Sequence, residues 1–267
     1  MEILGYIASL FIGIALGLIG GGGSILTVPV LYYLFGVAPV LATAYSLFIV
    51  GITSLVGVLP KYRQGLVNMK TAIIFGAPSI IAVFATRKYI IPVLPEHMAD
   101  IGAFELTKPV LLMVVFAILM LAASISMIRS KTKKEGIEDE QVFNYPLIFV
   151  EGTIVGILTG FVGAGGGFLI IPALVLLSKL PMKQAIGTSL IIIAAKSLIG
   201  FTGDLGHTTI DWTLIIFISL LAIVGIFIGN KLSEKLDGEK LKKGFGWFVL
   251  VMGAYILISE LFFSKIK

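Results

Sequence analysis

Apolar residues run along this chain in blocks separated by short polar turns. A membrane-crossing helix needs about 20 predominantly apolar residues, with a range of about 17–25. By that measure the pattern predicts spans over Ile3–Ile19, Pro39–Leu59, Thr71–Ile91, Pro109–Ile128, Tyr145–Val162, Met182–Thr202, Trp212–Gly229 and Phe245–Phe263. Two shorter apolar pieces, Ser24–Phe35 and Gly167–Leu180, predict half-helices dipping into the membrane. Residues 129–144, RSKTKKEGIEDEQVFN, change from basic to acidic and predict a solvated linker. The expected fold is an all-α polytopic membrane protein. Its first transmembrane repeat covers 1–128, the charged linker 129–144 and the second repeat 145–267.

The two halves are copies. Gly17–Leu31 reads GLIGGGGSILTVPVL and Gly160–Leu174 reads GFVGAGGGFLIIPAL, 143 residues later. Aligned without a gap, Gly17–Gly57 and Gly160–Gly200 share 15 identities in 41 positions. The matches include Gly20/Gly163, Gly22/Gly165, Gly23/Gly166, Pro29/Pro172, Ser46/Ser189, Ser54/Ser197 and Gly57/Gly200. Unrelated apolar helices share Leu and Ile by chance, not a register of Gly, Pro and Ser. Glycine costs backbone entropy in a helix and proline removes a donor, so each copy predicts a broken helix. Such breaks survive in a bilayer only where protein or a water-filled cavity covers the freed backbone. Paired breaks in two halves are the sequence sign of a transporter's binding site.

Composition agrees with this reading. The chain has 267 residues, 58% hydrophobic and 13% charged, against about 25% charged in a soluble domain. The mean hydropathy is +1.07. Its net charge of +5 does not point to nucleic acid, because the basic residues sit in short loops and orient the chain. Cysteine is absent, which excludes disulfides and thiolate metal sites. The first residues lack the basic flank of a cleaved signal peptide and predict a retained span. If all eight long runs cross and nothing else does, the two sides carry 9 and 10 Lys/Arg, with no bias. If each half crosses an odd number of times, the second is inverted. The side holding Lys61–Lys70, the linker and Lys231–Lys243 then carries 12 Lys/Arg. The opposite side carries 5: Arg87, Lys88, Lys108, Lys265 and Lys267, with Lys179 and Lys183 left out because the short pieces read as re-entrant. The positive-inside rule favours the second arrangement, with the richer side cytoplasmic and both termini outside.

The glycine clusters are the first candidate chemistry. A helix that stops and restarts presents backbone N–H groups and a positive dipole end, both suited to an anion. Gly20, Gly21, Gly22, Gly23 and Ser24 form the first cluster, with Ser24 a candidate N-cap; Gly163, Gly165, Gly166 and Gly167 form the second. Close helix packing through small residues is the plainer alternative. A dinucleotide-binding fingerprint fails, since no strand precedes the glycines and the flanks are of membrane length. The following helices carry Thr188, Ser189, Lys196 and Ser197 in one copy and Thr43, Ser46, Thr53 and Ser54 in the other. Hydroxyls can bind an oxyanion or bond back to their own helix carbonyls.

Lys196 is the one Lys or Arg well inside an expected span. An intramembrane lysine costs at least about 2.5–3.5 kcal/mol on insertion scales, so it faces the bundle interior or a cavity unless it snorkels. A bound anion or Glu151 is its expected partner, and Glu151 is also a candidate proton carrier, for coupling, or a near-interface group. Glu260 reads as interfacial. Asp204, His207 and Asp211 match no strong metal-ligand spacing and read as a solvated outer loop. No metal and no cofactor is expected. Trp212, Trp247 and several tyrosines at span ends fit an interfacial belt.

The duplicated glycine motifs, each followed by a small-Thr/Ser-rich stretch (ATAYSL, AIGTSL), resemble the TauE/SafE sulfite exporter family, also called the 4-toluene sulfonate uptake permeases. The resemblance implies transport of sulfite, organosulfonate, thiosulfate or related anions across the cytoplasmic membrane. It also implies that the glycine clusters, Pro29, Pro172 and Gly187–Ser189 build the binding architecture. The first repeat has Ala44-Tyr45-Ser46 where the second has Gly-Thr-Ser, which makes Tyr45 a candidate selectivity residue. The expected function is alternating access around a midplane anion site, with a small sulfur-containing anion and the lipid bilayer as partners. A homo-oligomer and either direction of transport stay open. Two rival readings are a cation-coupled transporter or channel, against which the scarce membrane acids and Lys196 count, and a non-transporting membrane scaffold. An enzyme is not expected, for want of a base–nucleophile pair or a metal cluster.

Overall fold

The computed structural model describes residues 2–101, 104–129, 145–163, 165–176, 180–205, 209–234 and 238–260. The linker beyond Arg129, and with it Lys179, His207, Lys265 and Lys267, lies outside the described residues. The first half comprises α1 (Glu2–Ile19), a broken arm from Gly20 to Leu34, α2 (Pro39–Arg63), α3 (Met69–Val93), a β-hairpin and α4 (Lys108–Arg129). The second comprises α5 (Tyr145–Val162), α6 (Gly167–Leu176), α7 (Met182–Thr202), α8 (Trp212–Ser233) and α9 (Gly238–Ile258). Among the described residues, five helices are long and apolar enough to cross a membrane: Pro39–Arg63, Met69–Val93, Lys108–Ser126, Met182–Thr202 and Trp212–Ser233.

Helix starts follow the 143-residue offset: Glu2 with Tyr145, Pro39 with Met182, and Met69 with Trp212. The caps are also duplicated. Thr71 N donates to Asn68 Oδ1 at 3.0 Å at the start of α3, and Leu214 N donates to Asp211 Oδ1 at 3.0 Å at the start of α8. The β-hairpin, His97–Ile101 paired antiparallel with Phe104–Thr107, is found among the described residues only in the first half. It was not anticipated, because its strands are too short for a periodic signal.

Close packing uses small residues. Gly13 and Gly17 of α1 lie against the backbone of Ala222, Ile226 and Gly229 in α8. At the matching positions of the other half, Gly156 and Gly160 lie against Ser79 and Thr86 of α3. Both pairs run parallel, and bare glycine lets the backbones touch. The opposite face of α8 exposes Ile216, Phe217, Leu220, Val224, Phe227 and Ile228, an apolar stripe suited to lipid.

Helices α2 and α7, equivalent by the offset, run antiparallel. Gly187 packs on Lys61 and Leu66, Gly51 on Leu198, and the Phe48 and Phe201 rings lie 5.2 Å apart. One end of the bundle gathers Lys61 with Ser233 at 3.0 Å, Gln64 with Glu234 at 3.1 Å and Asn68 N with Thr188 Oγ1 at 2.9 Å. The other end gathers Tyr45 with Asp211 and Arg87 with Asp204. The first arm folds back along α1, with Gly23 beside Leu16 and Phe35 beside Gly5 and Tyr6. It therefore returns along nearly the whole of α1 rather than dipping part-way as a half-helix. Tight 3-10 turns at Gly20–Leu26 lengthen the rise per residue and let this short piece reach that far.

One acidic position and one basic one differ from expectation. Arg87, expected near the end of the span Thr71–Ile91 and counted with the charges that orient the chain, is fully buried because its helix continues to Val93. Asp204, expected in a solvated loop, is 5% exposed and paired. Glu260 is buried beside Tyr32 and Tyr33. Trp212 and Trp247 are exposed.

Candidate functional site

Both broken helices turn at the same residue. Gly20 and Gly163 each have φ of +68°, a left-handed conformation that glycine adopts without a Cβ clash. The copies then diverge. After Gly20 the chain tightens into a 3-10 helix containing Gly21, Gly22, Gly23 and Ser24, whereas Gly165 and Gly166 remain left-handed at +63° and +67° before α6 begins at Gly167. Gly20 lies against Ile186 and Ser189 of α7; Gly163 lies against Thr43 of α2, the equivalent of Ile186.

The two clusters meet. Gly21 touches Gly167 backbone to backbone beside Ile193, near the middle of α7. That contact fills the space directly between them, so polar groups for a ligand stand to either side. Ser189 stands beside Gly20, while Ser197 stands beside Gly165 and Lys196 beside Gly166.

Lys196 is fully buried. Its Nζ donates to Thr159 Oγ1 at 3.1 Å, one use of three available donors. Among the described residues it pairs with no carboxylate. Thr159 is eight residues along α5 from Glu151, about 12 Å by helix rise, so Glu151 is not its partner. Glu151 Oε2 is itself buried without a partner. Lys196 also abuts Gly166, where α6 presents its positive dipole end. Two positive features side by side repel unless a negative charge joins them.

The hydroxyls divide into three groups. Ser24 donates to Gly21 O at 2.7 Å, Thr53 to Ile49 O at 2.6 Å and Ser189 to Ile186 O at 2.8 Å. Ser24 is thus a donor to its own turn and not the expected N-cap, which would accept. Ser46, Ser54 and Ser197 have buried Oγ atoms with no partner, a state that asks for an explanation in a native fold. Tyr45 and Thr188 sit at the ends of the bundle. Tyr45 Oη accepts from Asp211 N at 2.7 Å and Thr188 Oγ1 accepts from Asn68 N, so both brace loops.

Sequence reasoning missed one component. Arg87 Nε meets Asp204 Oδ2 at 2.8 Å, and Nη1 donates to Thr43 Oγ1 at 3.0 Å and Gly160 O at 3.3 Å. The available signal was its place four residues inside the expected span Thr71–Ile91. Among the described residues no group of three or more metal-ligating side chains occurs.

The family described as Sulfite exporter TauE/SafE matches residues 5–256, nearly the whole of this bundle. The chain belongs to the TauE/SafE family. A probable membrane transporter protein of Xylella fastidiosa (strain Temecula1 / ATCC 700964) is 29% identical over 251 residues, covering 92% of this chain and 91% of the relative. The probable membrane transporter protein YdhB of Bacillus subtilis (strain 168) is 24% identical over 248 residues, covering 92% and 96%. The probable membrane transporter protein MJ0441 of Methanocaldococcus jannaschii is 33% identical over 130 residues, 46% of this chain and 49% of the relative. No solved structure matches. This TauE/SafE protein is a multi-pass membrane transporter, not an enzyme, and its two glycine breaks lie inside the matched region.

Proposed function

We propose that this transporter carries a small sulfur-containing anion of the sulfite, organosulfonate or thiosulfate class by alternating access. The site is built on Gly165, Gly166, Gly167, Ser197 and Lys196, and the Gly21–Gly167 contact is the constriction that moves. One observation carries this reading: a fully buried lysine beside a helix N-terminus, with a hydroxyl as its protein partner. An oxyanion there accepts from the ammonium, the freed N–H groups and the unpartnered serine. The family's printed description supports the anion class. A thermal-shift panel on the purified protein tests it. Sulfite or a small sulfonate is expected to raise the melting temperature in proportion to the logarithm of its concentration, as a ligand of the native state does. Stabilisation by Na⁺ alone, with no response to any sulfur anion, would instead favour cation coupling.

The proposal includes an inverted repeat, supported by the antiparallel course of α2 and α7 and by the gathering of Lys61, Arg63, Lys70 and Lys231 at one end. Because the chain lacks cysteine, single introduced cysteines report topology without background. Gln64→Cys is expected to react with a membrane-impermeant maleimide only after the cells are opened, and Glu96→Cys in intact cells. The reverse pattern would invert the orientation.

Glu151 is the proposed proton carrier. In proteoliposomes, Glu151→Gln is expected to abolish the acceleration of anion flux by an imposed pH gradient while anion exchange at equal pH continues. An undiminished gradient response in that variant would leave uniport.

A further inference from the structure

Arg87 comes from the π-helical turn Thr86–Ile90 of α3, and such turns frequently mark functional positions. Its guanidinium is fully buried, and Nη2 has no partner. Nη1 reaches Gly160 O, while Lys196 reaches Thr159 Oγ1. Two buried cations from two helices thus end on consecutive residues of α5, one turn before the second glycine break.

The duplication supplies an internal comparison. By the 143-residue offset, Arg87 corresponds to Asn230, Asp204 to Lys61, Lys196 to Thr53 and Thr159 to Leu16. The helix contact is shared in position, with Gly160 against the Thr86 side chain and Gly17 against the backbone of Gly229 and Asn230. The charges are not shared: Asn230 holds its place with a neutral bond, Nδ2 to Gly57 O at 3.1 Å. A buried ion pair is no stronger a brace than well-packed neutral groups. Packing therefore does not explain why the charged version occurs only beside Lys196.

We propose that Arg87 is a second anion-binding residue of the pathway and Asp204 its built-in competitor. The Asp204 carboxylate occupies the Arg87 fork when the site is empty, and an incoming oxyanion takes its place. This inference rests on the Lys196 site. A planar guanidinium fork binds two oxygens of one ligand, so the site prefers a sulfur oxyanion or a carboxylate over a halide.

The test measures the Kd of sulfite, and of chloride as competitor, on the purified full-length protein. Wild type, Asp204→Asn, Arg87→Lys and Lys196→Ala are compared, each checked for folding by size-exclusion chromatography. Asp204→Asn is expected to bind sulfite about tenfold more tightly, because the competitor has lost its charge. Arg87→Lys, which keeps charge but not the fork, is expected to bind it at least about tenfold more weakly. Unchanged or weaker binding in folded Asp204→Asn, or unchanged binding in Arg87→Lys, would make the pair a structural brace. On the unmutated protein, equal competition by chloride and sulfite overturns the proposal whatever the variants do. If only Lys196→Ala loses binding, the Arg87 inference fails and the Lys196 site stands; if Lys196→Ala binds as wild type, the site itself falls.

Discussion

Lys196→Ala is expected to abolish anion binding and flux while the protein still inserts and folds. The ammonium is fully buried, donates to Thr159 and lies against Gly166 at the start of α6. Removing one partner of a buried, hydrogen-bonded charge pair costs about 2–5 kcal/mol, or about 30-fold or more in Kd. The folded state bears the opposite sign. An intramembrane lysine is unfavourable by at least about 2.5–3.5 kcal/mol on insertion scales, so alanine relieves that term and leaves a small cavity instead. Little loss of stability with near-complete loss of binding is the signature of a ligand-directed cation. A Lys196→Ala protein that bound sulfite like wild type would remove this residue from the site.

The second large effect is expected at the glycine crossing. A Cβ on Gly21 would strike Gly167, and one on Gly167 would strike the Cα and carbonyl of Gly21. The Cβ on Gly21 would also meet the tip of the Ile193 side chain, which can turn aside, but the Gly21 and Gly167 backbones cannot. Overpacking of this kind costs about 1–3 kcal/mol where neighbours can shift and more where they cannot. Gly21→Val and Gly167→Val are accordingly expected to lower the melting temperature by several degrees and reduce proteoliposome flux to background. Gly244→Ala serves as the control, because nothing lies within 4 Å of the added carbon. Near-normal flux in Gly167→Val would show that the contact is not the moving constriction.

How much of this was legible in the sequence follows from the range of each signal. Helices α2, α3, α5, α7 and α8 begin within two residues of the expected spans, because membrane-length apolarity is a local property. The breaks at the two glycine clusters were legible for the same reason, since a local run of Gly and Pro interrupts a helix and the copy repeated it; that each turns left-handed at Gly20 and Gly163 came from the structure. The roles of individual hydroxyls were not. Thr53 and Ser189 bond to their own helices, whereas Ser46, Ser54 and Ser197 do not, and nothing in their spacing distinguishes them. Tyr45 matched a family triplet by position, yet its phenol is committed to the 209–211 loop.

By itself, then, the sequence determined the membrane class, the duplication and its register, the two breaks and the presence of a lysine well inside an apolar span. Those features are written in composition and in periodicity along one strand of chain. Only the tertiary structure decided that the breaks touch at Gly21 and Gly167, that Arg87 and Lys196 end on neighbouring residues of α5, and that Asp204 is a buried partner rather than a solvated loop residue. Arg87 and Asp204 are separated by 117 residues. Their pairing depends on how α3, α5 and α7 pack, which no local pattern of apolar and polar positions encodes.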